Sequence, residues 1–345
     1  MIDPGFLSLP LLCALFALAA ATVWFAGSRL ARLVDALTDK TGLGQAFMGM
    51  LLLGGITSLP ELAAVSTSAA TGNAPLAINN LLGTASINLV LLAAADIYFG
   101  REALTAVAAR PATLMQGVLS MILASIVALV ATVGDVALFG VGAGSLVIAC
   151  AAVGALWLAS NFEHQHVWKA VGASSDDGGE GETRHDDRSV KRLVVTIGLC
   201  AVLILVSGFV LSTTADAIAT RTGLAAGLVG FVLVGFATSL PELSSIIAAL
   251  QLKRYQMAIG DIFGTNIFNL LLIAVADLFY RGGPVLGEAG RFEVTGAILA
   301  LLMTGIFIVG LLERKDRTIL RMGYDSAIAL LTFAAGLILL STAMA

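Results

Sequence analysis

Apolar residues run along this chain in unbroken blocks rather than in the alternation of strands or the single stripe of a surface helix. The blocks lie at 6–27, 43–71, 75–97, 111–133, 137–160, 193–213, 224–251, 256–279, 293–312 and 323–343. A helix needs about 20 apolar residues to cross a bilayer's hydrocarbon core, so the pattern predicts an all-α membrane protein with ten transmembrane helices. One long polar stretch, 161–190, is rich in Gly, Ser and Asp and holds His164, His166 and His185. It reads as a flexible linker between a first half, 1–160, and a second, 191–345.

Composition agrees with this reading. Of 345 residues 58% are hydrophobic and 12% charged, against about 45–50% and 25% in soluble domains; mean hydropathy is +0.96. A net charge of −4 gives no footprint for nucleic acid. Cys13, Cys150 and Cys200 stand singly in apolar runs and suggest neither a disulfide framework nor a thiolate metal site. Residues 1–5 hold no Lys or Arg, whereas Arg29, Arg32 and Lys40 follow the first block, so that block reads as a span and not a cleaved signal. With both termini outside, the inner loops collect 16 of the 19 basic residues. The positive-inside bias therefore predicts a cytoplasmic linker.

The chain also repeats itself at an offset of 181 residues. Over 35–62 against 216–243, 14 of 28 positions are identical without a gap. The offset aligns Pro60 with Pro241, Glu61 with Glu242 and Asn88 with Asn269. Five spans separate the copies, an odd number, so the second must enter the membrane the opposite way round. A 5+5 inverted repeat is the architecture of secondary transporters, whose sites lie where the repeats meet.

Glu61 and Glu242 fall inside apolar spans, and all Lys and Arg lie in predicted loops or at span ends. Buried carboxylates persist only if paired or neutralised, so the counter-charge is a proton or a bound metal ion. Each glutamate follows a proline, which frees the carbonyl four residues earlier, that of Ile56 or Ala237, from its helical bond. Gly54, Thr57, Ser58 and Glu61 share one helical face, and Gly235, Thr238, Ser239 and Glu242 repeat it. Thr84 with Asn88 and Thr265 with Asn269 add hydroxyl and amide oxygens on the following spans. An all-oxygen donor set disfavours soft transition metals and suits Ca²⁺ better than Mg²⁺, which demands a small rigid octahedron. Asp96 and Asp277 end two spans, and Arg101 and Arg281 follow them, which predicts interfacial ion pairs, with an accessory ion-entry role as the alternative. For Asp261, the repeat mate of Asn80, pore polarity and local capping are both open. No Ser-His pair exists within the spans, so no hydrolytic site is expected.

At these residues the sequence resembles the calcium/cation antiporter superfamily, specifically the sodium/calcium exchanger type. That family carries two inverted repeats, each a G-T-S-x-P-E helix followed by a G-N-x-x-G-S-N-I-x-N helix. Here they read Gly55-Ile56-Thr57-Ser58-Leu59-Pro60-Glu61 with Asn79-Asn80 to Asn88, and Ala237-Thr238-Ser239-Leu240-Pro241-Glu242 with Gly260-Asp261 to Asn269. The match covers about 42–97 and 223–278. The resemblance implies Ca²⁺/Na⁺ antiport by alternating access in a plasma membrane, the inner one in a prokaryote. A Ca²⁺/H⁺ antiporter is the alternative, and a gated channel comes third. No enzymatic activity or cofactor is implied; the partners are inorganic cations and the lipid bilayer. Glu61 and Glu242, with the carbonyls of Thr57 and Thr238, would hold Ca²⁺. The hydroxyls of Ser58, Ser239, Thr84 and Thr265 and the carbonyls of Gly54 and Gly235 would hold Na⁺, and Asn88 and Asn269 would line the middle. The first and sixth helices would slide as a gate. Thr84 and Thr265 replace the usual serine, Asn79 a glycine and Ala85-Ser86 Asn-Ile, while Asn269 stands where some relatives have Asp.

Overall fold

Apolar blocks of this length satisfy their own backbone only as helices, and helices are what the computed structural model contains. It describes residues 7–100, 102–138, 140–164, 188–222, 235–315 and 317–343. In chain order come α1 (Leu9–Thr41), α2 (Gln45–Met48), a π-helical stretch Gly49–Gly54, α3 (Gly55–Thr57), α4 (Leu59–Ala70), α5 (Ala74–Phe99), α6 (Leu104–Ala108) and α7 (Pro111–Val133). A two-residue-per-strand hairpin, β1 (Ala137–Leu138) and β2 (Val141–Gly142), leads to α8 (Ala143–His164). Then follow α9 (Val190–Thr222), α10 (Leu240–Gln251), α11 (Tyr255–Phe279), a 3₁₀ turn Val285–Glu288 and α12 (Arg291–Glu313). A second hairpin, β3 (Thr318–Ile319) and β4 (Met322–Gly323), precedes α13 (Tyr324–Ala343).

Among the described residues eight helices are long and apolar enough to cross a membrane, and the bent pair Gln45–Thr57 with Leu59–Ala70 makes up to nine. The remaining predicted span, 224–251, is described only from Gly235 onward, and linker residues 165–187, with His166 and His185, likewise lie outside the described residues. Adding 181 to the first residue of α1, α4, α8, β1 or β2 gives the first residue of α9, α10, α13, β3 or β4. The repeat seen in sequence is therefore also a repeat of elements.

Helix α1 runs far past the predicted 6–27, so Arg29, Arg32 and Lys40 ride on a helix and not in a loop. Its polar end is held by charge: Arg254 Nε lies 2.5 Å from Asp35 Oδ1, and Arg254 Nη2 lies 3.0 Å from Asp39 Oδ1. It stops at Gly42, whose left-handed φ of 68° lets its N–H donate to the Thr38 carbonyl at 2.9 Å. That conformation favours glycine.

α5 and α11 form the centre. Their apolar windows are 83% and 67% buried, against 22% and 28% for α1 and α9, which pack on each other at the periphery. Outward residues such as Leu18, Phe25, Leu129 and Leu199 stay exposed, as a lipid-facing surface requires.

Asp96 and Asp277 are not interfacial ion-pair residues. Both are 1% exposed. Asp96 accepts from the N–H of Leu104 at 2.8 Å, of Gly323 at 2.6 Å and from the Ser326 hydroxyl at 2.6 Å. Asp277 accepts from the N–H of Val285 at 2.6 Å and from that of Gly142. Each carboxylate thus ties a turn of its own half to the hairpin of the other. Local N–H donors win over an arginine here because the chain turns around each buried carboxyl, whereas an arginine side chain can remain in water at the interface. Arg101 itself lies outside the described residues.

Losing one such acceptor leaves buried N–H groups unsatisfied, which costs about 1–3 kcal/mol. Asp96→Ala and Asp277→Ala are each expected to lower the thermal unfolding temperature of the detergent-solubilised protein. Asp96→Ala should lower it more, since it also strands Ser326. Unchanged melting curves would remove the clasps from the account.

Candidate cation site

The two Pro-Glu segments do more than kink their helices. At Ser58 the backbone reaches φ −76°, ψ −1°, and a new helix, α4, starts with Pro60 in its first positions and Glu61 in its first turn. The segments on either side are bent by 44°. The second copy restarts in the same way at Ser239, with Glu242 in the first turn of α10. A proline needs no N–H partner at a helix start, and a carboxylate there faces the positive end of the helix dipole. One dipeptide therefore breaks the apolar segment and seats the glutamate at a helix N-terminus inside the protein.

The break is held by close backbone packing. A Cβ on Gly54 would lie 2.6 Å from Thr265 N, and one on Gly49 2.4 Å from Met257 O. From the other side, a Cβ on Gly260 would lie 2.4 Å from Ala46 O, and one on Gly264 2.5 Å from the Met50 Cα. Only glycine lets the π-helical stretch and α11 touch this closely. The π turn and this interlock were not anticipated, although Gly49, Gly54, Gly260 and Gly264 carried the signal.

Glu61 and Glu242 are both 0% exposed. All four of their carboxylate oxygens are buried without a hydrogen-bond partner among the described residues. They are near enough for their charges to act on each other, and Thr57 reaches Glu242 as well. The Thr57 and Thr265 hydroxyls meet at 3.3 Å across the two repeats. Ser58 donates to the Gly54 carbonyl at 2.7 Å, and Thr238 to that of Gly235 at 3.0 Å. Gly235 lies against Ile87, whose Cδ1 would be 2.3 Å from an added Cβ. The hydroxyls of Thr84 and Ser239 and both amide atoms of Asn269 are buried and unpartnered. Asn88 donates to Asn266 Oδ1 at 3.1 Å and keeps its own oxygen unpartnered.

The structure thus joins Glu61, Glu242, Thr57, Thr265 and Gly54 into one buried group, with Asn88, Asn269 and Thr84 buried on the neighbouring central helices. Asn266 was missed. It donates to the Ala85 carbonyl at 3.2 Å while accepting from Asn88, and its repeat mate is Ala85, so symmetry gave no cue. The remaining signal was its place directly after Thr265 in the motif. Chemically, buried carboxylate, amide and hydroxyl oxygens that have no ammonium or guanidinium partner among the described residues can serve as ligands for hard cations.

A family model described as sodium/calcium exchanger protein matches residues 11–158 and again 192–343. The chain belongs to the sodium/calcium exchanger family. Among curated relatives, the inner membrane protein YrbG of Escherichia coli (strain K12) is 25% identical over 262 residues, 73% of this chain and 74% of that protein. The putative antiporter CaxA of Alkalimonas amylolytica is 33% identical over 118 residues, 33% of this chain and 37% of the relative. The sodium/calcium exchanger MaX1 of Methanosarcina acetivorans is 33% identical over 124 residues, 35% and 33% of the two chains. The matched regions thus span about a third of CaxA and MaX1. A solved structure of the sodium-calcium exchanger NCX_Mj superposes with a TM-score of 0.73 at 16% identity, covering 96% of this chain and 99% of that one, which establishes the fold. The chain is accordingly a multi-pass membrane cation antiporter of this family and not an enzyme.

The glycine interlock yields a paired test. Gly54→Ala would drive a methyl into the α11 backbone, whereas a Cβ on Gly55 would meet only the Phe268 ring at 3.2 Å. Overpacking costs about 1–3 kcal/mol or more. Gly54→Ala is expected to lower the unfolding temperature clearly and Gly55→Ala only slightly. Equal effects would dissolve the interlock.

Proposed function

We propose that this chain exchanges Ca²⁺ for Na⁺ by alternating access through a ten-helix, 5+5 inverted repeat. On this reading 1–160 and 191–345 are the two halves, with repeat motifs at 42–97 and 223–278, and 161–190 is a cytoplasmic tether. Both termini lie outside. The observation that carries the reading is the pair Glu61 and Glu242, fully buried with four unpartnered oxygens. Two negative charges match one Ca²⁺ or two monovalent cations, so each cargo neutralises what the other leaves behind. That is the electrostatic condition for obligatory exchange.

Under this assignment the carbonyls of Thr57 and Thr238 complete the Ca²⁺ position. Ser58, Ser239, Thr84, Thr265, Gly54 and Gly235 supply Na⁺ ligands, with Asn88 and Asn269 between them. Oxygen dipoles of this kind are needed to hold Na⁺ in low dielectric and are dispensable for a proton. Gate movement falls to α1 and α9, the peripheral pair that pack on each other. MaX1 and NCX_Mj, both called sodium/calcium exchangers, support the choice of ions.

The test is ⁴⁵Ca²⁺ uptake into proteoliposomes with Na⁺ and H⁺ gradients imposed separately. Uptake should follow the Na⁺ gradient. Removing one partner of a buried charge pair costs about 3–5 kcal/mol, at least about a hundredfold in ion affinity. Glu61→Gln and Glu242→Gln should therefore stay folded and lose uptake. Thr84→Val and Thr265→Val should weaken Na⁺ dependence more than Ca²⁺ affinity. Wild-type Na⁺ activation in both threonine variants, with uptake driven by a pH gradient alone, would make the chain a Ca²⁺/H⁺ antiporter instead.

A further inference from the structure

The tip of the second hairpin keeps a backbone that its residues disfavour. Ile319 pairs with Met322, so Leu320 and Arg321 form a two-residue loop, with φ of 51° and 69°. Loops of this kind ordinarily take Asn-Gly or Asp-Gly, because other L side chains are strained at positive φ. The first hairpin follows that rule: Gly140, the repeat mate of Arg321, has a φ of 86°. Arg314, just past the end of α12, is left-handed too, at 49°. Three of the four non-glycine residues with positive φ among the described residues thus fall within 314–321. Strain gathered in this way marks side chains that serve something other than the fold.

Those side chains are of two kinds. Leu320 is 82% exposed and Ile319 54%, and no other large apolar side chain among the described residues is as open as Leu320. Around them stand Arg314, Lys315, Arg317 and Arg321, all exposed. Lys315 lies 3.4 Å from Glu313, and the three arginines make no ion pair among the described residues. The mates of the four are Val133, Gly134, Val136 and Gly140. Both hairpins therefore have an apolar tip, and only the second surrounds it with positive charge. Basic residues at span ends are common on the cytoplasmic side. That bias calls for no particular backbone, whereas an arginine on a glycine position carries a cost of its own. Only residues 314–323 join α12 to α13, both long and apolar enough to cross a membrane, so the tip stays at the membrane surface. It is also held there: the Gly323 N–H and the Ser326 hydroxyl donate to Asp96 of α5, and Arg321 Nη2 would lie 3.0 Å from a Cβ on Gly100, where α5 ends.

We propose that the β3–β4 hairpin is a docking site for anionic phospholipid, with Ile319 and Leu320 entering the acyl layer and Arg314, Arg317 and Arg321 holding headgroup phosphates. An apolar end ringed by basic side chains matches the boundary between acyl chains and anionic headgroups. Guanidinium groups suit phosphate because they offer paired N–H donors. The site holds whichever ions the protein exchanges.

The experiment titrates the whole protein, purified in a non-ionic detergent, with phosphatidylglycerol or with phosphatidylcholine, and reads the unfolding temperature and the lipid retained in native mass spectrometry. Phosphatidylglycerol should raise the unfolding temperature and stay bound, and phosphatidylcholine should do so far less. Arg317→Gln and Arg321→Gly should each raise the phosphatidylglycerol concentration at half-effect about fivefold. Arg321→Gly also restores the residue of the first hairpin and relieves the backbone, so without lipid it should unfold no lower than the wild type. Leu320→Asn, a residue that accepts the left-handed conformation, should weaken retention of both lipids. Variants that respond to phosphatidylglycerol as the wild type does would overturn the proposal, as would equal effects of the two lipids or a shift reproduced by inorganic phosphate. A lower lipid-free unfolding temperature in Arg321→Gly, with phosphatidylglycerol affinity intact, would make the arginine a cap on α5 and overturn it as well.

Discussion

Two carboxylates taken out of water, with no basic side chain among the described residues to meet them, are the constraint around which this molecule is arranged. Burying an unpaired carboxylate costs several kcal/mol even after relaxation, and Glu61 and Glu242 are fully buried. The protein lowers the cost without cancelling it. It seats each glutamate in the first turn of a restarted helix, at the positive end of that helix's dipole. What remains uncancelled is a demand for mobile positive charge. A fixed arginine would satisfy that demand permanently and close the site to cations.

Such a site needs a frame that does not relax around it. Carboxylates free to turn outward would find water, and a helix broken in mid-membrane would expose backbone groups to lipid. Glycine contacts bring the π-helical stretch against α11 at backbone distance, so the break is walled by protein. Farther out, Asp96 and Asp277 each bind the hairpin of the opposite half. Their reciprocity fixes the two halves to each other at both ends of the central helices. The same residue type thus stands in two settings: where N–H donors converge, aspartate is a clasp, and at Asp261 one carboxylate oxygen accepts from the Ser245 hydroxyl while the other is buried with no hydrogen-bond partner among the described residues.

The two-fold arrangement is also broken in places. Asn266 spans to Ala85 and Asn88 where its own mate is an alanine. Arg254 locks onto Asp35 and Asp39, and its mate is Asn73, a neutral helix cap that accepts from the Leu76 N–H. Asp261 faces an uncharged mate. Duplication supplies a matched pair of segments, and two of these differences, Arg254 against Asn73 and Asp261 against Asn80, give the two sides different charge.

The sequence alone determined the helical membrane class, the repeat at 181 residues and the central buried polar residues proposed above as ligands, because each is written in local terms. Hydrophobic length sets the spans, and Pro60-Glu61 with Pro241-Glu242 announces a broken helix beside a charge. Helix ends near polar residues were less legible: α1 continues through Arg29 to Thr41 because Asp35 and Asp39 find Arg254, more than 200 residues away in sequence. The clasps of Asp96 and Asp277, the bridge at Asn266 and the partnering of Asp261 by Ser245 were decided only in three dimensions. A carboxylate's role depends on which donors surround it. In this fold those donors come from the other half of the chain or from a neighbouring helix, where no local pattern can specify them.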